Sequence, residues 1–282
     1  MRRTAIGILF AVAGLPALAA TPVAGSATTA TTTTATTTVA AVTPPQRSLI
    51  VTSQDFSNLL ADDCEHFHTR NVSSFPATSR SQEQQEMALQ GIDILKIHNS
   101  EQGGVSIKGW DKPVARLTVC KEAVGFTQQQ AARTLGAINI SVRNGDINAT
   151  GPEIDESQAW WVHMILRVPK SARLDITSSN GGIAIRNMSG RITARAKYGG
   201  ISIATTSGKI DATTENGPIS VKLDHDTSVE AQIADAGEIL CSPRVCRAEN
   251  YSANRKHLRI GSGAASFRLS TTSAPIVIDQ VR

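Results

Sequence analysis

Aromatic side chains are scarce in this chain, at 4% of 282 residues, and that scarcity removes one class of function. Proteins that hold single-stranded nucleic acid stack bases on aromatic platforms inside a basic groove. Charge of one sign is lacking too. The formal net charge of +4 includes Arg2 and Arg3, and no acid precedes residue 20, so loss of the first nineteen residues leaves +2. Basic residues are interleaved with Asp and Glu, so no nucleic-acid partner is expected. Long apolar runs are also missing. Beyond the first twenty residues nothing approaches the roughly 18 apolar residues that cross a bilayer, so no transmembrane segment is expected after signal removal.

What is present at the start reads as an export signal. Arg2 and Arg3 are followed by an apolar run over residues 5–15, then Pro16 and the small-residue cleavage pattern Ala17-Leu18-Ala19. This predicts a signal peptide at 1–19. A Thr/Ala-rich stretch follows and ends in Pro44-Pro45. With almost no charge and no large apolar residue it cannot offset the entropy of ordering, so 20–47 is expected to be a disordered linker. Cysteines are few, at four, and in an exported chain they are expected to pair. Three connectivities are open. Cys64 with Cys120 and Cys241 with Cys246 is favoured, because CSPRVC is a short proline-containing loop that can close on itself.

A repeat organises the rest. From Ala172 the chain reads ARLDITSSN, GGIAIRNMS, GRITARAKY, GGISIATTS, GKIDATTEN, GPISVKL. Gly181, Gly190, Gly199, Gly208 and Gly217 fall nine apart, and Ile183, Ile192, Ile201, Ile210 and Ile219 follow each by two. Two further on are Ile185, Ala194, Ile203, Ala212 and Val221, so both apolar positions share one face of a strand. Glycine is expected to permit positive φ in the turn before each strand. The turns alternate between Asn/Tyr-Gly and Ser-Gly, which makes eighteen the period. That predicts a flattened coil of two strands and two turns, an all-β parallel β-solenoid with nine-residue half-coils. An antiparallel meander of nine-residue spacing remains open, although it does not require alternating turns.

Looser matches extend the pattern: Gly103 with Val105 and Ile107, Gly145 with Ile147, Gly237 with Ile239, and Ala274 with Ile276 and Ile278. One short helix is predicted over 127–135, with Thr127 as its cap and Ala131, Ala132 and Leu135 on one face. A long strand is predicted over 160–168, with Trp160, Val162, Met164, Leu166 and Val168 facing the core and Pro169 ending it. Repeats need caps at their ends. That role is assigned to a region at 48–84, reaching to about residue 95, and to the last strand, with the repeat domain at 85–282.

GGVSIKGWD from Gly103, VHMILRVPKSARLDITSSNGGIAI from Val162 and the SGRI/YGGI/SGKI/NGPI series resemble the bacterial putative-adhesin family of tandem β-strand repeats, a domain of otherwise unknown function. The resemblance covers roughly residues 85–282. It implies an exported protein with a repeated-strand, helix-like β fold and no catalytic residues to carry across. The Thr-rich segment and the region around Cys64 lie outside it, and the glycine pattern decays after Gly217.

Several chemistries fail on residue type. Calcium-binding β-rolls use G-G-x-G-x-D-x-U-x, whereas the matching positions here are Ala184 and Arg186, or Ser202 and Ala204. Asp175 and Asp211 share an outward column with Thr193 between them, two rungs or about 10 Å apart, beyond ready glycoside hydrolysis. Cys64, His66 and His68 lack a second pair for a structural zinc site. No G-x-S-x-G elbow supports a serine nucleophile, and His163, opposite the apolar face of its strand, is expected at the surface. No cofactor or metal is expected.

The reading that follows is a non-enzymatic, adhesin-like interaction module, periplasmic or at the cell surface. Its partner would be an envelope or extracellular glycan, polymer or protein, met along a basic stripe of Arg186, Arg191, Arg195, Lys197 and Lys209. A carbohydrate-active enzyme on a β-helix scaffold, or a structural or stress-sensing envelope protein, are the alternatives.

Overall fold

The computed structural model describes residues 63–65, 75–223, 227–246, 251–254, 256–261 and 266–280. The expected signal peptide, the Thr/Ala linker, His66, His68 and most of the 48–74 stretch lie outside the described residues.

Strands nine residues apart do not pair; strands eighteen apart do. β8 (Leu174–Asn180), β10 (Ile192–Ala196) and β12 (Ile210–Thr214) run parallel, with Leu174, Ile192 and Ile210 in register. β9 (Ile183–Arg186), β11 (Ile201–Ala204) and β13 (Ile219–Leu223) do the same in a second sheet, with Ile183, Ile201 and Ile219 aligned. Each half-coil thus crosses from one sheet to the other, and the antiparallel meander is excluded for these strands. All five repeat isoleucines are 0–2% exposed. Side-chain alternation along each strand turns them inward and leaves the intervening residues on two outer faces.

The repeat glycines have a different reason from the expected one. Among the described residues the glycines at positive φ are Gly91, Gly103, Gly145, Gly237 and Gly261, and none of the five repeat glycines is one of them. What they lack room for is a side chain. A Cβ on Gly199 would lie 2.2 Å from the carbonyl oxygen of Gly181, one on Gly217 2.2 Å from that of Gly199, and one on Gly208 2.0 Å from that of Gly190. The turns therefore stack backbone on backbone in two columns, one on each edge. Left-handed conformation falls instead on Asn187 and Thr205, eighteen residues apart at the ends of β9 and β11. Buried hydroxyls complete the turns: Thr214 donates to the Gly199 carbonyl and Ser178 to that of Gly181.

Four further coils join these three in the same parallel register. They are β2 (Leu95–Gln102) with β3 (Val105–Trp110), β6 (Asp146–Thr150) with β7 (Gln158–Pro169), β14 (Val229–Ala236) with β15 (Ile239–Cys241), and β18 (Phe267–Ser273) with β19 (Ile276–Gln280). Their order in space is not their order in sequence. One sheet runs β7-β3-β9-β11-β13-β19-β15 and the other β6-β2-β8-β10-β12-β18-β14. The first coil is thus inserted between the second and third, and the last between the fifth and sixth. This corrects the assignment of the last strand as a cap: β19 is internal, flanked by β13 and β15.

Among the described residues the fold is all-β with one helix, but its sheets are mixed rather than parallel throughout. β1 (Ala77–Ala88) and β4 (Val114–Gly125) extend one sheet antiparallel beyond β7. β5 (Asn139–Arg143) pairs antiparallel with β6 through Asn144-Gly145, both at positive φ, as a two-residue hairpin turn requires. β17 (His257–Ile260) and β16 (Tyr251–Asn254) close the other end. Antiparallel partners can be reached by short connections, so they suit the ends of the stack. Helix α1 (Gln128–Gly136) is capped by Thr127, whose hydroxyl accepts from the Gln130 amide. Its buried face is Ala131 and Thr134 rather than Ala132, because Thr134 donates to Gln158 on β7.

Candidate binding surface

The two outer faces carry opposite charge designs. On the face of the sheet containing β10, register aligns Asp146, Lys96, Asp175, Thr193, Asp211, Arg268 and Glu230 in one column. Signs largely alternate along it, which is the stabilising arrangement for directly opposed residues. Diagonal pairs reinforce it: Arg195 donates to Asp175 at 2.8 Å, and His98, bonded at 2.8 Å to Thr177 directly opposite it, sets its other nitrogen 3.8 Å from Asp146. Asp175 and Asp211 share a column two strands apart, as their spacing predicts. Each stands beside a cation, Arg195 or Arg268, and this is the environment of a neutralised surface.

On the face of the sheet containing β11, the column reads Arg116, Arg167, Lys108, Arg186, Ala204, Lys222 and Asp279. Four successive strands present a cation. Their neighbours along each strand, Leu117, Leu166, Ile107 and Ile185, are buried inward at 0–2% exposure, so the cations point away from the core. The Arg116 guanidinium is already paired: Nε and Nη2 donate to Glu86, directly opposite on β1, at 2.9 and 2.6 Å, and the group lies over the Trp110 ring at 5.2 Å. Lys108, Arg167 and Arg186 each have contacts of their own within the chain.

The same face is closed elsewhere. Thr118, Ile165, Ser106 and Ala184 form the adjacent column and are buried although they point outward. At the far end of that column Val277 and Leu240 are exposed. Cys120 lies opposite His163 on this face and is bridged to Cys64; Cys241 is bridged to Cys246. Cys64 is therefore committed to sulfur rather than to a metal. His163 is not a surface residue. It is 6% exposed, and burial pushes its imidazole pKa down to about 3, with Nε2 3.3 Å from the Ser106 hydroxyl.

The five basic residues expected to form one stripe are divided by the fold. Arg186 lies on the β11 face and Arg195 on the opposite one. Arg191 and Lys209 stack as neighbours in one turn column, where Ile192 donates to the Lys209 carbonyl. Lys197 lies on the other edge, over the Tyr198 ring at 5.2 Å. Arg116, Arg167 and Lys108 are the members that local spacing does not reveal. One signal is available: Lys108 and Arg186 both follow a repeat glycine by five residues, in GGVSIK and GGIAIR.

A sequence model of the family described as Toastrack DUF4097 matches residues 90–278. No curated protein matches the chain. Two solved structures are similar to it. A "putative cell adhesion protein" from Clostridium sporogenes is 12% identical with a TM-score of 0.47, over 72% of this chain and all of its own. A "putative adhesin" from Bacteroides fragilis is 8% identical with a TM-score of 0.26, over 72% of this chain and 98% of its own.

Proposed function

Because this chain belongs to the Toastrack DUF4097 family, we propose that it is an exported, non-enzymatic interaction module of the bacterial envelope, built as a parallel β-solenoid. One observation carries the reading. Outward positions stack in register on successive strands across two outer faces, and most of them are polar or charged, so the molecule offers repeated, shallow, polar contacts. Such a surface suits an extended partner better than a small ligand, which needs a concave apolar site. Export is supported by the charged, apolar and small-residue series at 1–19 and by both disulfides, which persist in oxidising compartments. On this reading 20–47 is a tether, 48–84 a cap and 85–282 the binding body. Neutralisation of Asp175 by Arg195 argues against a carbohydrate-active site there.

The test is photo-crosslinking of the full chain in its native envelope, followed by identification of what is captured. A reproducible envelope partner is expected. Release of new reducing ends from a bacterial polysaccharide panel, lost on Asp175→Ala or Asp211→Ala, would overturn the non-enzymatic reading.

A further inference from the structure

We propose that β1 is a self-association edge: two copies of the chain pair antiparallel along residues 80–88, about a two-fold axis at Gln84. The inference goes beyond the envelope-partner reading and does not rest on it. Its basis is a contrast among the edges of the two sheets. Among the described residues β5, β15 and β16 end their sheets with five, three and four residues. Short edge strands are one way a protein avoids pairing with another chain. β1 ends its sheet with twelve. It runs opposite β4 without a register shift, and ATSRSQEQQEMA contains neither proline nor lysine. The charges it does carry are cancelled from β4. Arg80 meets Glu122 at 3.2 Å, Glu83 meets Lys121 at 2.5 Å and Glu86 meets Arg116 at 2.6 Å. A second strand therefore approaches an edge with no uncompensated charge to repel it.

One end of the strand is taken. Gln128 of α1 donates to the Thr78 carbonyl and the Ser79 hydroxyl. Among the described residues only β4 hydrogen-bonds to residues 80–88. Alternate residues of an edge strand turn N–H and C=O outward, so two such stretches supply about eight interstrand hydrogen bonds. A two-fold at Gln84 sets Arg80 opposite Ala88, Ser81 opposite Met87, Gln82 opposite Glu86 and Glu83 opposite Gln85 of the second copy. No two like charges then face each other directly, the condition paired strands require. Both glutamates keep an oxygen for the amide opposite. Arg116 donates twice to Oε1 of Glu86, and Lys121 donates to Oε1 of Glu83. Each Oε2 is left to accept from Gln82 or Gln85 of the second copy. Gln84 meets its own copy amide to amide, and an amide both donates and accepts. A two-fold at Glu83 would instead set that carboxylate against itself. One at Gln82 would draw the Gln128-bonded residues into the pair.

The experiment measures the mass of the full disulfide-bonded chain by sedimentation equilibrium, at protomer concentrations reaching about 100 μM. A monomer–dimer equilibrium is expected. Gln84→Lys and Gln84→Glu should each weaken it at least about tenfold, because each new charge faces its own copy across the axis. An equimolar mixture of the two variants should restore a dimer at least as tight as the parent's. Thr213→Lys adds a charge to an exposed position on the β10 sheet and should change dimerisation less than about twofold. Thermal melts check that each variant folds. Should Gln84→Lys fail to fold, Gln84→Glu alone carries the test. A monomer at every concentration, a dimer indifferent to the Gln84 substitutions, or a mixture no tighter than either variant overturns the proposal. A monomeric chain would leave the envelope-partner reading standing, because capture in the native envelope tests that separately.

Discussion

At the residue scale, two glycine positions have opposite expectations. Gly199→Ala places a Cβ 2.2 Å from the Gly181 carbonyl and must push the stacked turns away from each other, so a loss of about 3 kcal/mol or more is expected in denaturant unfolding. Gly136→Ala, with nothing near its Cβ, is the control and should be neutral or slightly stabilising. Thr205 is β-branched at φ 47° while its repeat equivalent is Asn187 at φ 56°. Because Asn tolerates that region and a β-branched residue does not, Thr205→Asn should raise the melting temperature by about 2 °C. His163 sets a pH dependence. Its pKa falls from an ordinary 6.5 to about 3 on folding, so the folded state binds fewer protons below pH 6.5. Stability is then complete above that pH and falls towards pH 3 by up to about 1.4 kcal/mol per unit. Between pH 7 and 5 the parent should lose about 2 kcal/mol relative to His163→Gln; parallel pH curves for the two would mean the imidazole is not buried.

At the scale of elements, what is legible in the sequence is what repeats locally. The isoleucine–glycine spacing and the alternation of turn residues are enough to pair β8 with β10 and β9 with β11, since like turns must stack. Thr127 and the periodicity after it locate α1, and Pro169 marks the end of β7. The hairpin at Asn144-Gly145 also carries a sequence signal, yet Gly145 with Ile147 reads equally well as another repeat turn. The insertion of the first and last coils carries none. β3 meets β7 through residues 59 positions apart, and no local pattern reports so distant a register. This has a measurable consequence at β19. Ile276 is 0% exposed between Ile219 and Ile239, so Ile276→Asp buries an unpaired charge as fully as Ile201→Asp does. Both should abolish cooperative unfolding, whereas a terminal cap strand would tolerate the change at 276 far better.

At the scale of the whole molecule, inserting both terminal coils one rung inward decides which side chains become neighbours on the outer faces. The row of cations on the β11 face exists only because β3 enters between β7 and β9: Lys108 then joins Arg167 to Arg186. The same insertion sets Lys96 between Asp146 and Asp175 on the other face, and β18 brings Arg268 beside Asp211. Spacing alone therefore finds Arg186 but groups it with Arg191, Arg195, Lys197 and Lys209, which the fold sends to other surfaces. The charge pattern of this protein is a property of its strand order, and the repeat supplies the spacing on which that order acts.

The most direct test is cysteine crosslinking across the β11 face, with products mapped by mass spectrometry. Lys108→Cys/Arg186→Cys places two outward residues on adjacent strands in register, within the separation a disulfide spans. Arg167→Cys/Arg186→Cys places them two strands apart, with β3 between. The expected result is rapid oxidation of the 108–186 pair and none of the 167–186 pair. Crosslinking of 167 to 186 without 108 to 186 would mean that the coils stack in sequence order, and would break the row of cations.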